Sequence, residues 1–305
     1  MRGAASLAAR FGVSPLAIGL TVVAFGTSAP ELFVNVTAAL RGSPDLSFGN
    51  IFGSNMANIG LIVAITALIV PLHIKSVVVS REVPMMMLAT LVAAALAMDG
   101  VFGGHADTIS RGDGIVLLLL FSVFAYYTLR DLVRQRDGRS EEDDIGIGAT
   151  PQVKKLSLGT SVLLTTTGLV ALAGGGAITV LGAENVARAM GVSETIIGLT
   201  LVAVGTSLPE LVASVVASLR GHPDMAVGNV IGSNIFNLLI VLGTTATIRE
   251  IPVPPGGVAD LVVVICLSGL LWVASIRQDR VIIRAEAVML MTSYIVYMVF
   301  RTQMV

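Results

Sequence analysis

Residues 12–58 read GVSPLAIGLTVVAFGTSAPELFVNVTAALRGSPDLSFGNIFGSNMAN, and residues 191–237 read GVSETIIGLTLVAVGTSLPELVASVVASLRGHPDMAVGNVIGSNIFN. The two stretches align without a gap at an offset of 179, and 28 of the 47 positions are identical. Two unrelated apolar helices would not share their polar and glycine positions in this way. The sequence therefore contains an internal duplication, and this repeat decides how the rest of the chain is interpreted.

The composition indicates a membrane protein. Of the 305 residues, 54% are hydrophobic and only 13% are charged, whereas soluble domains carry about 25% charged residues. The apolar residues fall in blocks of about 20, the length of a membrane-spanning helix, and none of the blocks alternates as a barrel strand would. We therefore predict an all-α polytopic protein with the lipid bilayer as its surroundings. The net charge of −1 argues against a nucleic-acid partner.

Nine spans are predicted, near residues 14–40, 46–70, 83–98, 112–130, 156–182, 194–219, 225–248, 258–275 and 282–300. Five spans separate the start of the first repeat from the start of the second. Because five is an odd number, the two repeats enter the membrane from opposite sides, which predicts two inverted-topology repeats of about five helices each. The span before the second repeat has only MRGAASLAARF as its counterpart, so we expect the first helix to be missing or truncated in this chain.

The chain divides into an N-terminal transmembrane half (1–130, with the first repeat), a charged linker (131–155) and a C-terminal transmembrane half (156–305, with the second repeat). With the linker in the cytoplasm, fourteen basic residues fall on the cytoplasmic side, and five fall on the other: Arg41, Arg111, Arg188, Arg249 and Arg301. This balance predicts a multi-pass protein of the cell membrane with a cytoplasmic linker. Glu82 and Glu286 lie near span ends beside Arg81 and Arg284, where surface ion pairs are expected.

The motifs GTSAPE (26–31) and GTSLPE (205–210) each place a glutamate inside an apolar helix. A carboxylate at mid-membrane costs at least about 2.5–3.5 kcal/mol, and no Lys or Arg lies in a span near Glu31 or Glu210 to pair with it. Thr27 and Ser28 stand four and three residues before Glu31, so the three side chains can share one helical face. A cation site explains these residues better than a pair of protonated structural glutamates does.

Backbone carbonyls add to the oxygen atoms around the glutamates. The carbonyl of Gly26 loses its helical donor because Pro30 has no N–H group, and Pro209 has the same effect on Gly205. Carboxylates, hydroxyls and carbonyls together favour hard cations such as Ca²⁺ and Na⁺.

The second segment of each repeat, GNIFGSNMAN (49–58) or GNVIGSNIFN (228–237), carries a further polar face. Ser54 and Asn58 are four residues apart, as are Ser233 and Asn237. Other asparagines either contact the cation or only join helices by hydrogen bonds: Asn50, Asn55, Asn229 and Asn234. Glycines in these segments are expected to let helices approach closely: Gly49, Gly53, Gly228 and Gly232.

These paired GTSxPE and GNxxGSN segments resemble the two α-repeats of the cation/calcium exchanger superfamily, specifically the prokaryotic type of sodium/calcium exchanger. The resemblance implies that Glu31 and Glu210 coordinate both Ca²⁺ and Na⁺, and that backbone carbonyls of Thr27 and Thr206 complete the Ca²⁺ site. It implies flanking Na⁺ sites formed by Ser28, Ser207, Ser54 and Ser233 with the carbonyls of Ala24 and Ala203. Asn58 and Asn237 match the last polar position of each repeat. The resemblance also implies that the first and sixth helices slide across a fixed core.

Two details of the resemblance concern the coupling ion. Potassium-dependent relatives carry aspartate at the position of Asn237, so the amide here argues against K⁺ co-transport; some microbial sodium/calcium exchangers also have an acid there. Proton/calcium relatives show GNxxE-type motifs in place of GTSxPE, so the hydroxyl residues here favour sodium.

The sequence thus predicts a secondary active antiporter that exchanges Ca²⁺ for Na⁺ by alternating access, with the two ions as transported substrates, no cofactor and no enzymatic step. A H⁺/Ca²⁺ antiporter that uses the same two glutamates is the alternative within the transport class. A membrane-embedded enzyme is disfavoured, since no span contains HExxH, GxSxG or a His-paired nucleophile. A scaffold without transport activity is the third alternative.

Overall fold

The computed structural model describes residues 2–42, 44–100, 106–136, 156–189, 203–277 and 280–303. Its helices are α1 (Arg2–Phe11), α2 (Pro15–Ile18), α3 (Ala24–Thr27), α4 (Ala29–Arg41), α5 (Asp45–Ala57), α6 (Ala64–Ile69), α7 (Val83–Ala97), α8 (Arg111–Arg136), α9 (Leu158–Ala189), α10 (Ala203–Thr206), α11 (Leu208–Leu219), α12 (Pro223–Phe236), α13 (Leu242–Ile248), α14 (Gly257–Ser275) and α15 (Arg284–Gln303). Two-residue strands are β1 (Leu72–His73), β2 (Thr108–Ile109), β3 (Ile251–Pro252) and β4 (Val281–Ile282). Residues 137–155 of the predicted linker and 191–202 of the second repeat lie outside the described residues.

Several of these helices are joined end to end by π-helical turns into longer rods. The turns are Gly19–Val23, Asn58–Val63, Val78–Glu82 and Asn237–Val241. Within the described residues, six rods are long and apolar enough to cross a membrane: Leu46–Ile69, Val78–Ala97, Arg111–Arg134, Leu158–Gly175, Pro223–Ile248 and Gly257–Ser275. A seventh candidate is Pro15–Thr27 followed by Ala29–Arg41, bent by 40°. The prediction of an all-α polytopic membrane protein is confirmed, and seven of the nine predicted spans correspond to these rods. The span expected near 282–300 forms α15, which is not among them, and the span expected near 194–219 is described only from residue 203 onward.

The second segment of each repeat forms the centre of the molecule. In the most apolar part of Pro223–Ile248, 94% of the residues are buried, and in Leu46–Ile69 the share is 83%. The share falls to 17% for Arg111–Arg134 and 11% for Leu158–Gly175, so these two rods lie at the periphery. Large apolar side chains that face outward, such as Phe33, suit contact with lipid rather than with water.

Two glycines of α12 let it cross the π-helical entry of the first repeat at very short range. A Cβ on Gly228 would lie 2.6 Å from the carbonyl oxygen of Leu16, and one on Gly232 would lie 2.6 Å from that of Leu20. Both neighbours are backbone atoms, which cannot move aside as a flexible side chain can. The expectation that these two glycines allow close helix packing is confirmed.

Two antiparallel strand pairs join the halves of the protein at opposite ends. β1 pairs with β4 through Leu72 and Ile282, and β2 pairs with β3 through Ile109 and Ile251. β1 and β3 occupy equivalent positions, 179 residues apart, directly after the second rod of each repeat. Their location at opposite ends of the bundle is what an inverted repeat requires.

The short segment before the first repeat forms α1, a helix of 10 residues. It packs against α9, where Ser161 Oγ donates to Ser6 Oγ at 2.9 Å and the backbone N–H of Leu156 donates to the same oxygen at 3.0 Å. The helix is shorter than the roughly 20 residues of a complete span.

Three charged side chains near span ends differ from expectation. Arg301 is not a loop charge: it is buried in α15, and its Nε lies 3.1 Å from Asp260 Oδ1 of α14. Glu82 pairs with Arg81 as predicted, yet it is buried rather than on the surface. Arg301 is buried because α14 packs against its helix, and beside Glu82 the Arg81 side chain also pairs with Asp131 of α8. Glu286 pairs with Arg277 at 2.9 Å, not with the adjacent Arg284.

Candidate functional site

Each GTSxPE motif breaks its helix at the serine. Ser28 separates α3 from α4, and Ser207 separates α10 from α11. The proline two residues later lies in the first turn of the new helix, where its missing N–H group leaves no intrahelical hydrogen bond unmade. Glu31 and Glu210 therefore lie in the first turns of α4 and α11, both fully buried. A carboxylate in this position interacts favourably with the positive end of the helix dipole.

Hydroxyl groups next to the first break reach across to the second repeat. Ser28 Oγ donates to Glu210 Oε1 at 2.8 Å. Within the second repeat, Ser233 Oγ donates to the same carboxylate oxygen at 3.4 Å. Thr27 Oγ1 donates to Asn229 Oδ1 at 3.2 Å. The expectation that Thr27 and Ser28 share a helical face with Glu31 is wrong. The helix that contains Thr27 ends at the break, and the Ser28 hydroxyl faces the other half of the protein.

The equivalent hydroxyl of the second repeat makes the symmetry-related contact. Thr206 Oγ1 donates to Asn50 Oδ1 at 3.2 Å, and it lies 3.4 Å from Ser54 Oγ. Asn50 and Asn229 therefore both join one repeat to the threonine of the other. The carbonyl of Ala24 accepts from the Ser28 N–H at 2.9 Å and from Thr27 Oγ1 at 3.3 Å, while Ala203 begins α10.

A ring of four asparagines lies where α5 and α12 give way to π-helical turns, which begin at Asn58 and Asn237. Asn58 Nδ2 donates to Asn234 Oδ1 at 3.0 Å, and Asn237 Nδ2 donates to Asn55 Oδ1 at 3.2 Å. These two bonds are equivalent by the 179-residue offset. Single π-helical turns within α-helices are frequent at functional sites.

Six buried side-chain oxygens of the candidate site have no hydrogen-bond partner among the described residues: Glu31 Oε1, Glu31 Oε2, Glu210 Oε2, Ser207 Oγ, Asn58 Oδ1 and Asn237 Oδ1. Buried carboxylate oxygens without a partner are costly, and native proteins keep few such groups. Within the described residues neither glutamate forms a salt bridge. The oxygen atoms of this set are ligands that hard cations prefer.

Sequence reasoning missed Asn35, which holds the backbone of Glu31, and Ser214, which supports the asparagine that holds the backbone of Glu210. Asn35 Nδ2 donates to the carbonyl oxygen of Glu31 at 2.7 Å. In the second repeat Asn229 Nδ2 donates to the carbonyl of Glu210 at 3.3 Å and to Ser214 Oγ at 3.0 Å. The signal was available, since positions 35 and 214 are equivalent and both are polar within an otherwise apolar stretch.

An apolar cavity of about 540 Å³ lies beside the first motif. Its lining includes Phe25 and Gly26 of α3, Phe121 of α8, Leu169 of α9 and Phe236 of α12. Leu169 is in direct contact with the motif, because a Cβ on Gly26 would lie 2.3 Å from its Cδ1 atom. The peripheral helix α9 therefore contacts the first motif through Leu169 and borders this cavity, and it also packs against α10 and α11 of the second motif.

The fold and its buried polar centre define a membrane transport protein built from two inverted repeats. The family model described as "Sodium/calcium exchanger protein" matches residues 1–130 and 160–303. The chain therefore belongs to the sodium/calcium exchanger family.

Individual relatives are similar over nearly the whole chain. Sodium/calcium exchanger MaX1 of Methanosarcina acetivorans is 30% identical over 98% of this chain and 92% of its own length. Inner membrane protein YrbG of Escherichia coli is 37% identical over 83% of this chain and 75% of its own length. A solved structure of the sodium-calcium exchanger NCX_Mj, soaked with Na⁺ and Sr²⁺, has a TM-score of 0.78 with 31% identity and covers 97% of this chain and 90% of that one.

Proposed function

We propose that this protein is a secondary active antiporter that exchanges Ca²⁺ for Na⁺ across the membrane by alternating access. The observation that carries the proposal is the pairing of Glu31 and Glu210, which are fully buried in one oxygen-lined centre without a basic partner among the described residues. Membership of the sodium/calcium exchanger family supports the same pair of ions.

The ligand roles follow the two-fold arrangement of the repeats. We assign the carboxylates of Glu31 and Glu210 to both ions, and the backbone carbonyls of Thr27 and Thr206 to Ca²⁺. Flanking Na⁺ sites would use the hydroxyls of Ser28, Ser54, Ser207 and Ser233, with the carbonyls of Ala24 and Ala203. Asn58 and Asn237 would offer their amide oxygens, which accept no hydrogen bond from the described residues. Neither ion is a resident cofactor in this scheme, because both are substrates.

Charge explains why the two ions exchange rather than travel together. Two ionised glutamates carry a charge of about −2, which one Ca²⁺ or a few Na⁺ can neutralise. A centre occupied by both kinds of ion at once would bury an uncompensated positive charge. An empty centre would leave two buried carboxylates unpaired, so the change between inward-open and outward-open states is favoured only when the site is loaded.

Peripheral position makes α9 the element best placed to open and close the site. It is the least buried of the candidate spans, it packs with α1, and it borders the apolar cavity beside Gly26. The core rods, in contrast, are tied together by hydrogen bonds between the repeats. We propose that α1 and α9 slide together across this core, with the 131–155 linker between the two halves in the cytoplasm.

Ca²⁺ uptake into liposomes tests the coupling ion. Purified protein is reconstituted with Na⁺ inside, Ca²⁺ outside and pH equal on both sides. We expect uptake that requires the outward Na⁺ gradient and stops when an ionophore dissipates it. Uptake driven only by a pH gradient would overturn the proposal and support the H⁺/Ca²⁺ alternative, in which the buried glutamates carry protons.

A further inference from the structure

We propose that Asn55 and Asn234 are positioning residues that force Asn58 and Asn237 to present amide oxygens, not amide nitrogens, to the transported cation. This inference rests on the proposed function, since it concerns the same cation centre. All four side chains are buried, and together they form the ring of asparagines described above. Because an asparagine has a donor end and an acceptor end of equal shape, something must decide which end faces the ion.

On one side of the ring a backbone carbonyl fixes the orientation of the amide groups. Asn55 Nδ2 donates to the carbonyl oxygen of Asn234 at 3.4 Å, and a carbonyl oxygen can only accept. The nitrogen end of Asn55 is thereby fixed, so its Oδ1 faces Asn237. Asn237 Nδ2 donates to this oxygen at 3.2 Å, which leaves Asn237 Oδ1 buried and without a partner among the described residues.

On the other side a thioether sulfur has the same effect. Asn234 Nδ2 lies 3.5 Å from the Sδ atom of Met86 in α7, which accepts weakly and cannot donate. Asn234 Oδ1 therefore faces Asn58, whose Nδ2 donates to it at 3.0 Å. Asn58 Oδ1 is again left buried, with no partner in the part of the chain that the structure describes. In Asn58 and Asn237, the inner asparagines, the amide nitrogen thus donates a hydrogen bond while the amide oxygen accepts none from the described residues.

The chemistry of the ion requires this orientation. An amide N–H group turned toward the site would repel a cation, whereas an amide oxygen is a suitable ligand for Ca²⁺. If Asn55 or Asn234, the outer asparagines, were flipped, its nitrogen would face the nitrogen of the inner asparagine, so that two donors would meet. The inner asparagine could then turn as well. We call this set of hydrogen bonds the asparagine relay. Met86 is its most informative member, since it is apolar, touches no ion in the proposed scheme and can be replaced with little change of volume.

The test compares Met86→Leu with Met87→Leu, the adjacent buried methionine on the same helix. Leu and Met are close in volume, so neither change should disturb packing greatly. Ca²⁺ binding is measured by titration calorimetry on the purified, intact protein in Na⁺-free detergent, together with the melting temperature. We expect Met86→Leu to weaken Ca²⁺ binding roughly three- to tenfold, the effect of one hydrogen bond, while Met87→Leu leaves it within about twofold.

A second pair of variants tests the other side of the ring. Asn55→Leu removes the acceptor for Asn237, and we expect a larger loss of Ca²⁺ affinity than from Met86→Leu. Thr66→Val is its control, since the Thr66 hydroxyl is buried but only donates to the carbonyl of Ile62 in its own rod. If Asn55→Leu does not fold, the methionine pair still decides the matter.

The outcomes separate this inference from the proposed function. Wild-type protein that binds no Ca²⁺ would overturn the proposed function, and the relay with it. Wild-type protein that binds Ca²⁺, with equal affinities for Met86→Leu and Met87→Leu, would overturn the relay alone. Because the measurement is of equilibrium binding, the result does not depend on whether Na⁺ or H⁺ is the coupling ion.

Discussion

Ser28 Oγ donates a 2.8 Å hydrogen bond to Glu210 Oε1, but the equivalent hydroxyl, Ser207 Oγ, has no hydrogen-bond partner among the described residues, and neither carboxylate oxygen of Glu31 has one. The repeats are nearly identical in sequence here, so the difference is one of conformation rather than of residue type. The Glu210 carboxylate accepts a short hydrogen bond from the opposite half, whereas the Glu31 carboxylate accepts none of that length among the described residues. The proposed alternating access requires such asymmetry, because a two-fold centre would then open to one side of the membrane at a time.

This asymmetry predicts different effects for the two serines. Ser28→Ala removes a hydrogen bond to a charged group, worth about 1.5–3 kcal/mol, and we expect a lower melting temperature in ion-free detergent. Ser207→Ala removes a hydroxyl that has no hydrogen-bond partner among the described residues, and it should leave the melting temperature unchanged or slightly higher. Saturating Ca²⁺ should reduce the difference in melting temperature between the two variants. Equal melting temperatures without ions would contradict the prediction.

The two glutamates are expected to be individually indispensable. Glu31→Gln or Glu210→Gln keeps the size of the side chain but removes one of two negative charges, so one Ca²⁺ is no longer neutralised. We expect either change to abolish Ca²⁺ uptake into liposomes. Glu286→Gln is the matched control, because that glutamate forms an exposed ion pair with Arg277 away from the site. Uptake by either site variant at the wild-type rate would contradict the proposal that the two glutamates bind Ca²⁺.

The ion pair between Asp260 and Arg301 is expected to stabilise the packing of α14 on α15 only while both partners are present. Both side chains are buried, and Tyr297 also donates to Asp260. Arg301→Met should destabilise the protein by about 3–5 kcal/mol, since it leaves a buried carboxylate unpaired. The double change with Asp260→Leu should be milder than this single change. Thermal unfolding in detergent measures both.

An exposed pair provides the comparison for Arg301. Arg277→Met breaks the pair with Glu286, and an exposed pair contributes only about 0–1 kcal/mol. A melting temperature for Arg301→Met as high as that for Arg277→Met would show that the buried pair contributes no more than a surface one.

Gly228 is expected to tolerate no side chain. A Cβ there would lie 2.6 Å from the Leu16 carbonyl oxygen and 3.0 Å from the Leu20 nitrogen, so Gly228→Ala forces two central helices apart. We expect a lower melting temperature and reduced uptake. Gly159→Ala is the control, because beyond its own helical turn no atom of the described residues lies within 4 Å of the added Cβ, and the change favours helix by up to about 1 kcal/mol. Similar behaviour of the two variants would argue against a close crossing at Gly228.

Much of the fold could be predicted because membrane helices are specified by local composition. The spans follow from apolar blocks of fixed length, and the inverted order follows from counting them between two copies of one motif. The motif also identified the residues that the structure gathers at the centre, including Glu31, Ser28 and Asn237. Their roles as ion ligands remain proposals.

Non-local pairing is what the sequence could not supply. Nothing near Arg301 indicates that its partner, Asp260, lies 41 residues earlier on another helix. The π-helical turns at Asn58 and Asn237 depend on packing against the opposite repeat, so residue preferences alone do not predict them. Spacing within a single helix also misdirected the assignment of Ser28, because a break in that helix turns its hydroxyl toward Glu210.

The two strand pairs have a consequence for assembly. Each pair joins the first half of the chain to the second, one at each end of the bundle, through residues more than 140 positions apart. The covalent connection through residues 137–155 is therefore not what keeps the halves in register. We expect residues 1–136 and 156–305, produced as two separate polypeptides in one cell, to find each other, co-purify and take up Ca²⁺ together. Failure of the fragments to associate would mean that the connection guides assembly.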